Sequence, residues 1–234
     1  MTLVDKKNFD VYNSIYKCMD NAHDYPNTNL VRLEKWFLKG KKNNKILDYG
    51  FGYGENSIFL SLKGYSVFGT EISKEVISFL RKKLKKNKIN NIKLLHLDKK
   101  LKKLPFKDNY FDSIICLGVI QYLGSKEKTN NLFKEFQRCL KPKGKFIIST
   151  FGPQNSFIKK SKKINNNTYI FAGKEKFHTD MNLNYKLYIP FNKKNFKSFF
   201  PQHMRVFEVG SWNNVYRGVN GLHYVALGEK IGQK

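Results

Sequence analysis

A chain of 234 residues is long enough to bury a full core as one domain, and it holds no apolar run long enough to span a membrane. Its 44 lysines and arginines against 18 acids give a formal net charge of +26, which draws in anionic partners through a field that salt weakens. Cys18, Cys116 and Cys139 are scattered, with no disulfide or metal-ligand spacing, and the N-terminus MTLVDKKNFD lacks the apolar stretch of a secretory signal, so a cytoplasmic chain without a metal is expected.

Residues 1–43 precede the first strand. Phe9, Tyr12, Ile15 and Tyr16 recur at helical spacing, as do Leu30, Leu33, Trp36 and Phe37. Two helices follow, broken at Tyr25-Pro26-Asn27-Thr28, with Asn27 or Thr28 as the second N-cap. Arginine is rare here: Arg32, Arg81, Arg138, Arg205 and Arg217 are the only ones. A guanidinium grips a carboxylate in bidentate fashion where lysine cannot, so Arg32 is a candidate for the acid group of a ligand.

The run Lys45–Ser57, KILDYGFGYGENS, organises the rest. Ile46 and Leu47 end a short apolar strand, Asp48 closes it, and Gly50, Gly52 and Gly54 follow at alternate positions before a helical pattern from Asn56. Strand, glycine turn and helix open an α/β nucleotide-binding unit. The third glycine of a dinucleotide fingerprint would fall at Glu55, and the Lys-Ser/Thr pair of a phosphate loop is missing. Two acids beside the turn suit a ligand with a cationic end better than a pyrophosphate.

Tyr65–Thr70 reads as a second strand ending at Glu71, at the ~20-residue interval where a carboxylate accepts hydrogen bonds from ribose hydroxyls. A helix over 73–88 leads to a third strand, Ile92–Leu97, ending at Asp98. Leu104-Pro105-Phe106 and a fourth strand, Phe111–Leu117, follow, then a turn into helix over Gly118–Leu123. Cys116, inside that apolar run, is expected to pack as a small hydrophobe. A helix over 127–140 and the turn Leu140–Gly144 precede a fifth strand, Lys145–Phe151. Residues 152–190 are rich in Lys and Asn, with a hairpin around Tyr169–Lys176. Phe191–Phe200 reads as a last helix, with Met204–Gly210 and Leu222–Glu229 as an antiparallel pair.

Asp-x-Gly-x-Gly-x-Gly after an apolar strand, Glu71, and the segment LPFKDNYFDSIICLGVIQYL (104–123) resemble the class I S-adenosylmethionine-dependent methyltransferases of small-molecule type. The resemblance covers residues 45–151 by motif and the C-terminal hairpin by layout. It implies an α/β, Rossmann-like three-layer sandwich: a seven-stranded, mostly parallel sheet completed by a C-terminal antiparallel hairpin. One domain is then expected, with an N-terminal helical cap (1–43), a cofactor-binding core (45–151), a variable acceptor-covering segment (152–190) and a closing helix and hairpin (191–234).

The cofactor implied is S-adenosylmethionine, with S-adenosylhomocysteine as product. Carried over by position, its contacts are Asp48, Gly50, Phe51, Gly52 and Asn56 at the glycine turn, with Glu71 on the ribose and Ile72 against the adenine. Asp98 and the amide of Lys99 would serve the adenine edge, and Leu117 and Gly118 the methionine end. Arg32 joins them as the carboxylate ligand. Tyr12, Tyr16, Tyr25 and Gln121 would line the acceptor pocket.

In-line displacement at a sulfonium needs a well-placed nucleophile, and a base only where the acceptor must lose a proton. Of five histidines, His96 lies in a strand, His23 near the N-terminus, and His203 and His223 beside the last strands. His178, in the variable segment, is the first candidate for a catalytic role and Tyr122 the second. The expected reaction is methyl transfer to O or N of a small molecule, such as an activated sugar or another anionic metabolite. RNA methylation through the basic surface is the alternative reading. The charge excess is almost wholly lysine and accompanies abundant Asn, Ile, Phe and Tyr, a mixture that AT-rich coding produces without selection for binding. Oligomeric state is not legible.

Overall fold

The structure is a computed structural model that describes residues 3, 8–11, 25–98, 100–175, 179–216 and 218–232. Residues 8–11 are helical. Helix α1 (Thr28–Leu33) starts where the Asn27 side chain accepts from the Asn29 and Leu30 amides. It widens into a π-helical turn, Glu34–Leu38, which ends at Lys39 with φ of 48°. The wider turn shifts the apolar face: Leu30 and Leu38 are buried, while Trp36, expected on that face, is 66% exposed.

The chain continues through β1 (Lys45–Tyr49), α2 (Glu55–Leu62), β2 (Ser66–Glu71), α3 (Lys74–Lys86), β3 (Ile92–His96) and β4 (Phe111–Leu117). A short 3-10 turn, Ile120–Leu123, leads to α4 (Lys126–Cys139) and β5 (Leu140–Phe151). A one-turn helix, α5 (Ser156–Lys159), precedes β6 (Lys162–Lys163), β7 (Thr168–Glu175) and β8 (Thr179–Tyr188). Then come α6 (Lys193–Lys197), β9 (Met204–Trp212), β10 (Val215–Tyr216), β11 (Val219–Asn220) and β12 (His223–Lys230).

Seven strands form one sheet in the order β3-β2-β1-β4-β5-β12-β9. The first five are parallel, and β12 slots between β5 and β9, antiparallel to both. This is the predicted α/β sandwich. The inner strands read as continuous apolar runs because both faces are covered. Leu47, Phe68, Ile114, Cys116, Phe146 and Ile148 pack with α4 and α6 on one face. Ile46, Val67, Ile115 and Ile147 pack with α1, α2 and α3 on the other.

Arg138 fixes the loop ahead of β4. Its guanidinium donates to Glu135, to Asp108 and to the carbonyls of Leu104 and Phe106, while Glu135 accepts from the Leu104 amide at 2.7 Å. Lys145 Nζ donates to the carbonyls of Phe37 and Leu38, tying the end of the π turn to β5.

Three boundaries differ from expectation. The hairpin placed around Tyr169–Lys176 is longer: β7 alone fills most of that span, and β8 returns to Tyr188. With β6 these strands form a separate sheet around Tyr169, Phe171, Leu183, Tyr185 and Leu187. The helix expected over Phe191–Phe200 shrinks to five residues. Asn195 Oδ1 accepts from the Phe191 amide and the Asn167 side chain, which holds the approach as a turn. Strand β5 begins at Leu140 rather than Lys145 because Leu140 already pairs with Phe111.

Candidate cofactor and acceptor site

The carboxyl ends of β1, β2 and β4 open into one cavity of about 240 Å³, with described lining from Asn8 and Phe9 through the glycine turn to Leu123. Such a position, where neighbouring parallel strands leave in different directions, is where open α/β sheets take ligands. Gly50 has φ of 73°, and a Cβ there would lie 2.6 Å from a Val119 methyl, so only glycine lets the turn pack on the β4 end. The amides of Gly50 and Phe51 donate to the Thr70 carbonyl, which fixes the turn on β2.

Glu71 is buried at the end of β2. Its Oε2 accepts from the Gly52 amide at 3.1 Å, and its Oε1 accepts from the amides of Ile72 at 2.6 Å and Ser73 at 3.3 Å. Burial raises its pKa, and the three amides oppose that shift. Asp48 is also buried, yet it is not part of the cavity wall: its Oδ2 accepts from the Ser57 hydroxyl at 2.6 Å. Burial pushes its pKa up to about 7, against the Ser57 hydrogen bond and helped by Glu55 and Glu71. It therefore ties the strand end to α2 instead of facing a ligand.

Of the expected cofactor residues, Gly50, Phe51, Gly52, Asn56, Glu71, Ile72, Leu117 and Gly118 come together in the lining, and Tyr122 joins them at the far end. Asn56 Oδ1 also accepts from the Asn27 amide, which joins the first helix to the glycine turn. Arg32 and Asp98 are exposed and outside the lining; Asp98 Oδ1 accepts from the Lys100 amide. Tyr25 is 84% exposed and also outside it. Gln121 is buried just behind the wall, its Nε2 donating to the Gly118 carbonyl at 2.6 Å. Tyr12, Tyr16, Lys99 and His178 lie outside the described residues.

The structure adds Asn8, Phe9, Tyr49, Thr70, Leu97, Val119 and Leu123 to the wall. Tyr49, Thr70 and Leu97 each sit one residue from a residue that the motifs single out, a signal the sequence did carry. Asn8 had none. Its Nδ2 donates to the carbonyls of Tyr122 at 2.6 Å and Lys186 at 2.8 Å, and its Oδ1 accepts from the Lys186 amide at 3.1 Å. One amide near the N-terminus thus joins the 3-10 turn to β8 across the cavity.

An adenosine bearing a sulfonium and an ammonium fits these walls. Thr70 Oγ1 is buried without a hydrogen-bond partner beside Glu71, which suits a ligand hydroxyl or ring nitrogen. The lining's single charged residue among those described is Glu71, which favours a cationic ligand and offers a phosphate nothing.

The chain has the fold and cavity of the class I S-adenosylmethionine-dependent methyltransferases, and its residues 47–148 match the family described as a methyltransferase domain. It is 30% identical over 143 residues to a putative methyltransferase, YqeM, of Bacillus subtilis (strain 168), covering 57% of this chain and 56% of that one. It is 29% identical over 162 residues to the ubiquinone/menaquinone biosynthesis C-methyltransferase UbiE of Wigglesworthia glossinidia brevipalpis, covering 64% and 62%. The chain therefore spans about three-fifths of the length of these two relatives. An S-adenosylmethionine-dependent methyltransferase of Methanosarcina mazei shares the fold with a TM-score of 0.70 at 18% identity, over 89% of this chain and 100% of that one. A protein of Pyrococcus horikoshii OT3 does so with 0.66 at 23%, over 94% and 98%. No helix among the described residues is long and apolar enough to cross a membrane.

Proposed function

We propose that the chain transfers a methyl group from S-adenosylmethionine to an oxygen or nitrogen atom of a small molecule. The observation that carries this reading is the single cavity with unlike ends. Bare main chain and Glu71 form one part of its wall, and Phe9, Tyr122 and Leu123 another, a layout suited to a nucleoside beside an organic acceptor. The cofactor supplies an activated methyl carbon, which leaves the protein to bind, orient and exclude water. On this reading the Glu71 carboxylate accepts from the ribose hydroxyls, Gly50 and Gly52 let the methionine end approach the main chain, and the ring of Tyr122 bounds the acceptor.

The described lining holds no lysine or arginine. That supports an uncharged acceptor over the anionic metabolite or activated sugar that the net charge suggested. The basic residues of α3 support the other reading, RNA methylation: Arg81, Lys82, Lys85 and Lys86 lie on its exposed face, opposite the buried Val76, Ile77, Leu80 and Leu84. A solvated lysine surface explains that face without a ligand.

Thermal melting tests the cofactor. S-adenosylhomocysteine should raise the melting temperature in proportion to the logarithm of its concentration, and NAD or NADP should leave it unchanged. A shift with NAD alone overturns the proposal. Labelled cofactor incubated with metabolite pools and with RNA then separates the two acceptor classes, and label in RNA that falls steeply with salt favours the second.

A further inference from the structure

We propose that Gln121 and His223, which flank Gly118 behind the cavity wall, recognise a proton-bearing nucleophile on the acceptor, a hydroxyl or an uncharged amine. This rests on the methyl-transfer reading and specifies its acceptor end. Gly118 lies at the exit of β4 with φ of 70° and lines the cavity. Its amide donates to Ser149 Oγ at 2.9 Å and its carbonyl accepts from Gln121, so the peptide is pinned from both sides. Where a side chain would stand there is space instead. A Cβ on Gly118 would sit 3.6 Å from His223 Cε1 and 3.9 Å from Gln121 Nε2.

Both neighbours carry an unspent hydrogen-bonding atom. Gln121 Oε1 and His223 Nδ1 are buried without a partner, and leaving such atoms unmet is costly. The Gln121 amide cannot turn over, because that would set its oxygen against the Gly118 carbonyl it now serves. Its Oε1 therefore stays an acceptor that wants a proton. His223 opens β12, packed edge-on against Phe151 at 5.1 Å and stacked on Trp212 at 6.1 Å. Its position is set by the preceding residue, since the Leu222 carbonyl accepts from the Gly152 amide and from Asn155 Nδ2. Burial pushes the imidazole down to about 4, so it is neutral at neutral pH and offers one N–H and one lone pair.

A hydroxyl or neutral amine satisfies the pair, donating to Gln121 Oε1 while it hydrogen-bonds His223. A carboxylate has no proton for Gln121 and meets an oxygen lone pair instead. A group held in this way has its proton directed at Gln121 and its own lone pair left for the methyl carbon. Gln121 and His223 act as orienting groups: the new bond to the methyl carbon forms as the carbon–sulfur bond breaks, its electron pair stays on the sulfur of S-adenosylhomocysteine, and the proton of the methylated oxygen or nitrogen passes to water.

The test uses the full chain saturated with S-adenosylhomocysteine and three probes of one size: phenol, toluene and benzoate. Nuclear magnetic resonance of labelled histidine should show the His223 ring signals moving with phenol only, with phenol bound at least fivefold tighter than toluene. Gln121→Met, or His223→Phe should the first variant fail to fold, should reduce that preference to about one while S-adenosylhomocysteine still raises the melting temperature. Equal binding of phenol and toluene, a preference for benzoate, or His223 signals that no probe moves overturns the inference. With the cofactor-product shift intact, those outcomes leave the methyl-transfer reading standing; loss of that shift in the wild-type chain is what sinks the reading itself.

Discussion

The end of the cavity at β1 and β2 is walled by main chain and by Glu71, whose partners are backbone amides. The end at the 3-10 turn is walled by side chains that arrive from distant places, Asn8 and Phe9 from the N-terminal segment and Tyr122 from the turn, and Tyr185 of β8 packs on Tyr122 with ring centroids 5.1 Å apart. The first kind of wall is set by strand register and a glycine turn. The second depends on tertiary contacts between segments 114 to 178 residues apart, as the Asn8 hydrogen bonds show, and can be rebuilt without disturbing the sheet. On the proposed function, the cofactor lies against the first wall and the acceptor against the second.

Three perturbations should separate the ends, beginning with the largest effect. Asp48 carries a pKa raised by burial from an ordinary 3.8 to about 7, so its neutral form is favoured in the folded chain. Its contribution is fully present below about pH 4 and is lost as the pH rises through about 7. At about 1.4 kcal/mol per pH unit this amounts to roughly 4 kcal/mol at most. Denaturant melts from pH 4 to pH 8 should show wild type losing stability relative to Asp48→Asn, and parallel curves would mean that Asp48 ionises normally. Next, Glu71→Ala should weaken S-adenosylhomocysteine about 100-fold, or roughly 3 kcal/mol, by calorimetric titration, because the buried carboxylate is the charged group of the wall. A loss below threefold would place the nucleoside elsewhere. Smallest, Asn8→Ala should speed amide exchange in the 3-10 turn and in β8 near Lys186, a loss of about 1–2 kcal/mol, while S-adenosylhomocysteine affinity changes less than threefold. Should that affinity fall tenfold, the two ends are not independent.

How much of this could be read from residues alone follows the same division. Strand β4 was legible to the residue, Phe111–Leu117, because a strand buried on both faces is an unbroken apolar run bounded by polar turns. The glycine turn and Glu71 were legible because their spacing along the chain is the geometry of one strand-helix-strand unit. Asp48 shows the limit: its spacing was right, but only the fold reveals that it lies under the turn against Ser57. The hairpin of β7 and β8 was half seen, since Lys and Asn between its inward residues blur the alternation. Asn8 was invisible as a site residue, for nothing local marks an amide that meets its partners more than 100 residues away.

The clip made by Asn8 bears on traffic through the enzyme. Three hydrogen bonds to one small side chain must part together before the turn and β8 can move away from the N-terminal segment. On the proposed function, entry and exit at that side need a concerted swing of a seam, whereas the nucleoside would rest on main chain fixed by the sheet. Whatever sets the pace of each catalytic cycle, the movable half of the doorway is the half that chooses the guest.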